Sequence, residues 1–75
     1  MIAKIETTFE WSHHRRLHLI TSGPPTASEL AMVQAALVFA DRAGLLADWL
    51  ALTFGRPVRV HWPEPSPDVW FEVGL

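Results

Sequence analysis

The sequence predicts a small α+β domain in which strands and helices follow the order β-β-α-α-β-β. We expect a four-stranded antiparallel sheet with both helices packed on one face. Two observations support this prediction. Residues 3–21 and 58–75 alternate between apolar and polar side chains, which is typical of half-buried strands. Residues 27–54 between them carry apolar side chains at helical spacing. The 75 residues have room for one domain, spanning 1–75.

The first two strands are predicted to form a hairpin. In the first strand an inward, mainly apolar side alternates with a polar one: Ala3, Ile5, Thr7, Phe9 and Trp11 against Lys4, Glu6, Thr8 and Glu10. After the polar segment 12–15 the alternation resumes, with Leu17, Leu19 and Thr21 inward. Two such runs with a short polar connection favour antiparallel pairing. The second strand ends at Gly23-Pro24-Pro25, because proline has no backbone N–H to donate to a sheet.

Two helices are predicted between the hairpins. Thr26 and Glu29 match a capping box, which marks the start of the first helix. A single helix over residues 27–54 would be about 42 Å long, whereas strands of six to eight residues span roughly 20–27 Å. We therefore predict a break at Gly44. A second helix then carries Trp49 and ends at Gly55.

The last third of the chain repeats the alternation of the first hairpin. Val58, Val60 and Trp62 alternate with Arg59 and His61, and Val69, Phe71, Val73 and Leu75 alternate with Trp70 and Glu72. The proline-rich segment 63–67 between these runs indicates a stiff turn. The side of the sheet that faces away from the helices is therefore expected to be open and mostly polar.

No constellation of catalytic residues is found, so we predict that the protein is not an enzyme and needs no cofactor. The serines and glycines form neither a nucleophile elbow nor a phosphate-binding loop, and no two carboxylates are expected to converge. The histidines of the segment 13–18 are the candidate metal ligands. Arg15 and Arg16 beside them add positive charge and no acid is nearby, so we predict no metal site. Anion binding by this turn is left open.

Six residues on the open side of the sheet are the candidate partner-binding residues: Arg16, His18, Arg59, His61, Trp70 and Glu72. Trp70 is a large apolar side chain among polar ones, and tryptophan and arginine are common anchors of protein interfaces. The alternative is that these residues only pair across strands, with Trp70 lying over an arginine. An RNA-stacking platform would need two or three exposed aromatic residues on adjacent strands, and Trp70 alone is predicted there.

These observations favour a non-enzymatic protein-binding module, a small regulator or inhibitor that docks on a larger complex. Compact α+β domains of this size without catalytic residues occur among phage-encoded inhibitors, including anti-CRISPR proteins, and among small antitoxins. One alternative is a nucleic-acid-binding accessory protein that uses Arg15, Arg16 and Arg59, although about two or three phosphate contacts would give weak, salt-sensitive binding. Another alternative is a small ligand-binding protein or enzyme.

The expected location is the cytoplasm of a bacterium or of a phage-infected host cell. The chain has no cysteine, and its first residues lack the apolar core of a signal peptide. No membrane-spanning segment is predicted, because Asp41, Arg42 and Asp48 interrupt the longest apolar stretch.

A homodimer is predicted from the apolar residues that one sheet and two short helices cannot cover. Val38, Leu45 and Leu52 lie off the main helical stripe, and Ile20 and Trp70 lie on the outward side of the sheet. The final strand, residues 69–75, has Glu72 as its only charged side chain, which favours pairing at its edge. We expect two copies to join through a helical face or through strand edges, and a foreign protein could use the same surface.

Overall fold

Two helices connect two pairs of strands, in the order that the sequence predicts. The computed structural model describes residues 4–11, 15–63 and 66–74. Its elements are β1 (Ile5–Trp11), β2 (Arg15–Thr21), α1 (Ala27–Phe39), α2 (Ala43–Phe54), β3 (Val58–His61) and β4 (Asp68–Val73). The predicted α+β class and element order are confirmed. No helix among these residues is long and apolar enough to cross a membrane.

The sheet is mixed, so the prediction of a purely antiparallel sheet is wrong. The strand order is β1-β2-β4-β3, in which β1 with β2 and β3 with β4 are antiparallel and β2 with β4 is parallel. β4 therefore lies between β2 and β3, parallel to the first and antiparallel to the second. The strands' composition explains this order. The inward side chains of β4 are buried, whereas β3 is four residues long and largely exposed, which suits an edge.

The order also corrects the expectation for the edges of the sheet. The final strand, β4, is hydrogen-bonded on both sides, and the edges are formed by β1 and β3. These edge strands carry charged side chains, Glu6 and Glu10 on β1 and Arg59 on β3, which discourage pairing with another chain.

The helical segment breaks at Ala40–Arg42 and not at Gly44. Ala40 and Arg42 have extended backbones, with φ/ψ of −87°/119° and −134°/148°. The indole Nε1–H of buried Trp11 donates to the carbonyl oxygen of Ala40 at 2.9 Å, which occupies an acceptor that a continuous helix would use. Gly44 lies inside the first turn of α2. The prediction of two helices, with Trp49 on the second, is confirmed, and its breakpoint is corrected.

The outer ends of the two helices are set by local sequence, as predicted. The side chain of Thr26 accepts from the backbone N–H of Glu29 at 3.0 Å, and the carboxylate of Glu29 accepts from the N–H of Thr26 at 2.8 Å. At the other end α2 stops at Gly55, whose φ of 66° lies in the left-handed region that favours glycine.

The core lies between the helices and one face of the sheet. The sheet contributes Phe9, Trp11, Leu17, Leu19, Val69, Phe71 and Val73, and the helical segment contributes Val33, Ala36, Ala40, Leu46 and Leu50. One expectation is corrected at the margin of the core: Leu45, expected off the helical stripe, packs against it. Val60 lies on the helix side opposite Phe71, as predicted, but it is exposed because β3 is an edge strand.

Replacing Trp11 with Phe tests the hydrogen bond that ends α1. The variant keeps most of the apolar burial but leaves the buried carbonyl of Ala40 without its donor. We expect the free energy of unfolding to fall by about 1–3 kcal/mol in urea denaturation. Trp62→Phe is the matched control, because its indole donates to Ser66 at a partly buried position where water can replace it. Equal losses in the two variants would contradict the assignment.

Candidate functional site

The face of the sheet opposite the helices is covered by no other described element, and we call it the open face. Its residues are Lys4, Glu6, Thr8, Glu10, Arg16, His18, Ile20, Arg59, His61, Asp68, Trp70 and Glu72. All six candidate partner-binding residues lie on it. The register arranges the strand residues in cross-strand rows, so side chains that are distant in sequence become neighbours.

The middle row of the open face brings three rings together. His18 on β2 lies opposite Trp70 on β4, which lies opposite His61 on β3. The rings of His18 and Trp70 are stacked, with centroids 4.9 Å apart and an interplanar angle of 14°. The ring of His61 is 6.0 Å from that of Trp70 and tilted by 48°. This row could not be predicted from the sequence, because it depends on the parallel pairing of β2 with β4.

The side chain of His18 is largely buried, with 13% exposed to solvent, and its ring packs against Trp70. Its Nδ1 lies 3.3 Å from the carboxylate of Glu6 and 3.4 Å from the hydroxyl of Thr8. Its Nε2 lies 3.6 Å from the carboxylate of Asp68, beyond hydrogen-bonding distance. Polar groups therefore flank both ring nitrogens and hold the imidazole flat against one face of the indole.

Among the described residues, the ion pairs of the open face include Lys4 and Arg16 but not Arg59. Lys4 Nζ lies 2.6 Å from Glu72 Oε2, and Arg16 lies 4.0 Å from Asp68. The hydrogen bond and the positive charge of Lys4 hold the pKa of Glu72 below its ordinary value; slight burial opposes this shift, and the charge of Arg59 adds to it. Although Arg59 stands opposite Glu72 in the register, it makes no ion pair with any described residue.

A shallow groove of about 420 Å³ runs between β3 and Trp70. It is lined by Ile20, Arg59, His61, Pro63, Trp70 and Glu72, four of which are candidate partner-binding residues. Ile20, Pro63 and the indole supply apolar walls, while the remaining lining residues are polar. The other two candidates do not line it: His18 lies behind the indole, and Arg16 pairs with Asp68.

The arginines of the nucleic-acid alternative do not form one patch. Arg15 lies on the helix side of the sheet, where its guanidinium is 4.4 Å from the ring centroid of Trp62 and 5.9 Å from that of Trp11. Arg16 and Arg59 lie on the open face. The alternative in which Trp70 lies over an arginine is also corrected, because His18 stacks on its ring.

A second exposed surface lies on the outer side of the helices, and we call it the helical patch. It consists of Met32, Phe39, Trp49 and Leu52, which are 50%, 68%, 39% and 84% exposed. The rings of Phe39 and Trp49 are stacked, with centroids 6.1 Å apart. Val38 is also exposed on α1, so apolar side chains surround most of that helix.

No group of three or more metal-ligating side chains occurs within residues 4–11, 15–63 and 66–74. His13 and His14 lie outside these ranges, so the absence of a metal site and the behaviour of the His/Arg turn stay predictions. In comparisons with known proteins, no family model, curated protein or solved structure gives a significant match to this chain.

Replacing Lys4 with Met should raise the pKa of Glu72 toward its ordinary value, because the hydrogen bond and the charge that favour the carboxylate are both removed. A carboxyl group with a lowered pKa in the folded state stabilises the protein at pH values above its unfolded-state pKa. This stabilisation disappears as the pH falls through the folded-state pKa. NMR titration of the Glu72 carboxyl carbon measures the change. Arg59→Gln should give a smaller rise. An unchanged pKa in the Lys4 variant would show that the ion pair does not persist in solution.

Proposed function

We propose that the chain is a non-enzymatic protein-binding module that docks on a larger complex through its open face. The observation that carries this proposal is the half-buried indole of Trp70, which stacks on His18 and lies beside Arg59, an arginine without an ion pair to any described residue. Tryptophan and arginine side chains in partly desolvated pockets contribute most of the energy of many protein interfaces. The surrounding ion pairs resemble the polar rim of such an interface.

The charges of the open face favour a protein over a nucleic acid. The face carries four carboxylates, Glu6, Glu10, Asp68 and Glu72, and three cations, Lys4, Arg16 and Arg59. Nucleic-acid interfaces need an excess of positive charge to neutralise phosphates. Because Arg15 lies on the other side of the sheet, the runner-up function, a nucleic-acid-binding accessory protein, has only two arginines on one surface.

We further propose the class of phage-type inhibitors, such as anti-CRISPR proteins, or of antitoxin-like regulators, acting in the cytoplasm of a bacterial or phage-infected cell. The small size and the absence of catalytic motifs from the sequence support this class. Proteins of these kinds act by covering a surface of a larger machine, and a rigid face with one central anchor suits that task.

Partner capture by the immobilised chain tests docking through the open face. Trp70→Ala and Arg59→Glu should each weaken capture by roughly 30-fold, as expected for a hot spot worth about 2 kcal/mol. Arg42→Glu makes the same charge change at the exposed connection between the helices and should leave capture unchanged. Circular dichroism checks that all variants keep the fold.

Two outcomes would overturn this proposal. One is a captured protein that all variants retain equally. The other is capture that nuclease treatment abolishes and that decreases steeply with salt, which would favour the nucleic-acid alternative.

We also propose that two copies associate through the helical patch. Leu52 lies in an open depression whose lining includes Asp48 on one side and Arg56 on the other, each four residues away. Neither Asp48 nor Arg56 forms an ion pair with a described residue. A two-fold axis beside Leu52 would place Asp48 of one copy opposite Arg56 of the other, twice, so the surface is complementary to itself.

Charge reversal at these two positions tests the dimer by analytical ultracentrifugation. Asp48→Arg and Arg56→Asp should each weaken association, because like charges then face each other, and the double variant should restore it. A single species of 8.4 kDa at tens of micromolar would rule out the wild-type dimer. A double variant as weak as the single ones would reject this pairing.

A further inference from the structure

We infer that the groove beside Trp70 binds an acidic, apolar segment of the partner protein: an apolar side chain against the indole and a neighbouring carboxylate on Arg59. This inference rests on the proposal that the open face binds a protein. It specifies the chemical groups of the partner that the groove binds.

The apolar part of the inference comes from the indole and its apolar neighbours in the groove. His18 stacks on Trp70 at 4.9 Å and does not line the groove. The indole itself lines the groove, together with Ile20 and Pro63, which add further apolar surface. A volume of about 420 Å³ lies within the range of small-ligand pockets and has room for a ring or a branched aliphatic group. Burying such a group against the indole removes apolar surface from water.

The acidic part of the inference comes from the balance of charge inside the groove. Among the described lining residues Glu72 is the one acid, and Lys4 compensates its charge at 2.6 Å. Arg59 forms no ion pair with any described residue, and the imidazole of His61 lies on the same side of β3. The uncompensated charge is therefore positive. A guanidinium binds a carboxylate through two parallel hydrogen bonds, so a single acidic side chain satisfies this site.

The surroundings favour a carboxylate of a protein over the phosphates of a nucleic acid. A strand that placed one phosphate on Arg59 would carry its next phosphates across a face whose carboxylates outnumber its cations. A peptide segment carries its acidic charge at one position and can place neutral or basic residues against those carboxylates. Arg59, which has no ion pair within the described residues and lies beside an apolar wall, matches such a segment.

An NMR titration with 3-phenylpropionate tests the inference on the intact chain. This probe joins an aromatic ring to a carboxylate, and 3-phenylpropanamide is its neutral counterpart. We expect 3-phenylpropionate to shift the signals of the Trp70 indole N–H and of the Arg59 and His61 amides. The neutral amide should bind roughly tenfold more weakly, since it lacks the charge-assisted hydrogen bonds to Arg59.

Variants assign the effect to the groove. Arg59→Gln should bind the carboxylate as weakly as the wild type binds the neutral amide. Arg42→Gln, the matched change on another exposed arginine, should bind like the wild type. Equal binding of the two probes, or shifts confined to the helical patch, would overturn the inference. A thymidine oligonucleotide that shifts the same signals at lower concentration than 3-phenylpropionate would also overturn it and identify a nucleic-acid site.

The failures of the two proposals are distinguishable. If the probes do not bind in the groove but Trp70→Ala still abolishes partner capture, the open face remains the docking surface and the groove chemistry is wrong. If 3-phenylpropionate binds as expected while every open-face variant captures the partner normally, the groove chemistry holds and docking through the open face is wrong.

Discussion

The parallel pairing of β2 with β4 is the interaction on which both the core and the open face depend. On the buried side it places Leu17 beside Val69 and Leu19 beside Phe71, all of them inaccessible to solvent. On the outer side the same register places His18 beside Trp70. Parallel strands need a long connection, which α1, α2 and β3 supply. The helices of that connection cover one face of the sheet and leave the other open.

The features that the sequence predicted well are those that depend on nearby residues. The capping box of Thr26 and Glu29 and the left-handed Gly55 each involve side chains or backbone within one helical turn. Strand alternation is similarly local, and it placed all six candidate residues on one face. The helix break was misplaced because it depends on Trp11, 29 residues from Ala40, and no local pattern reports that hydrogen bond.

The arrangement within the candidate site could not be predicted for the same reason. Which side chain stacks on Trp70 depends on the strand order. The local alternation of apolar and polar residues does not determine that order. Lys4 and Glu72 are 68 residues apart, and with Glu72 paired to Lys4, Arg59 forms no ion pair within the described part of the chain. The surplus positive charge of the described lining residues is thus a consequence of tertiary structure. The sequence alone supports an aromatic and charged face, while the selectivity that we propose for the groove follows from these long-range contacts.

The central claim, the parallel β2–β4 pair, is tested most directly by backbone contacts in a NOESY spectrum. Parallel strands give contacts between an α-proton of one strand and an amide proton of the other, whereas antiparallel strands also bring pairs of α-protons close together. The structure predicts inter-strand α-proton to amide contacts between residues 16–20 and 68–72, without strong contacts between α-protons. Strong contacts between α-protons along these two segments would contradict the arrangement of the core and of the open face. So would a spectrum without any contacts between the two segments.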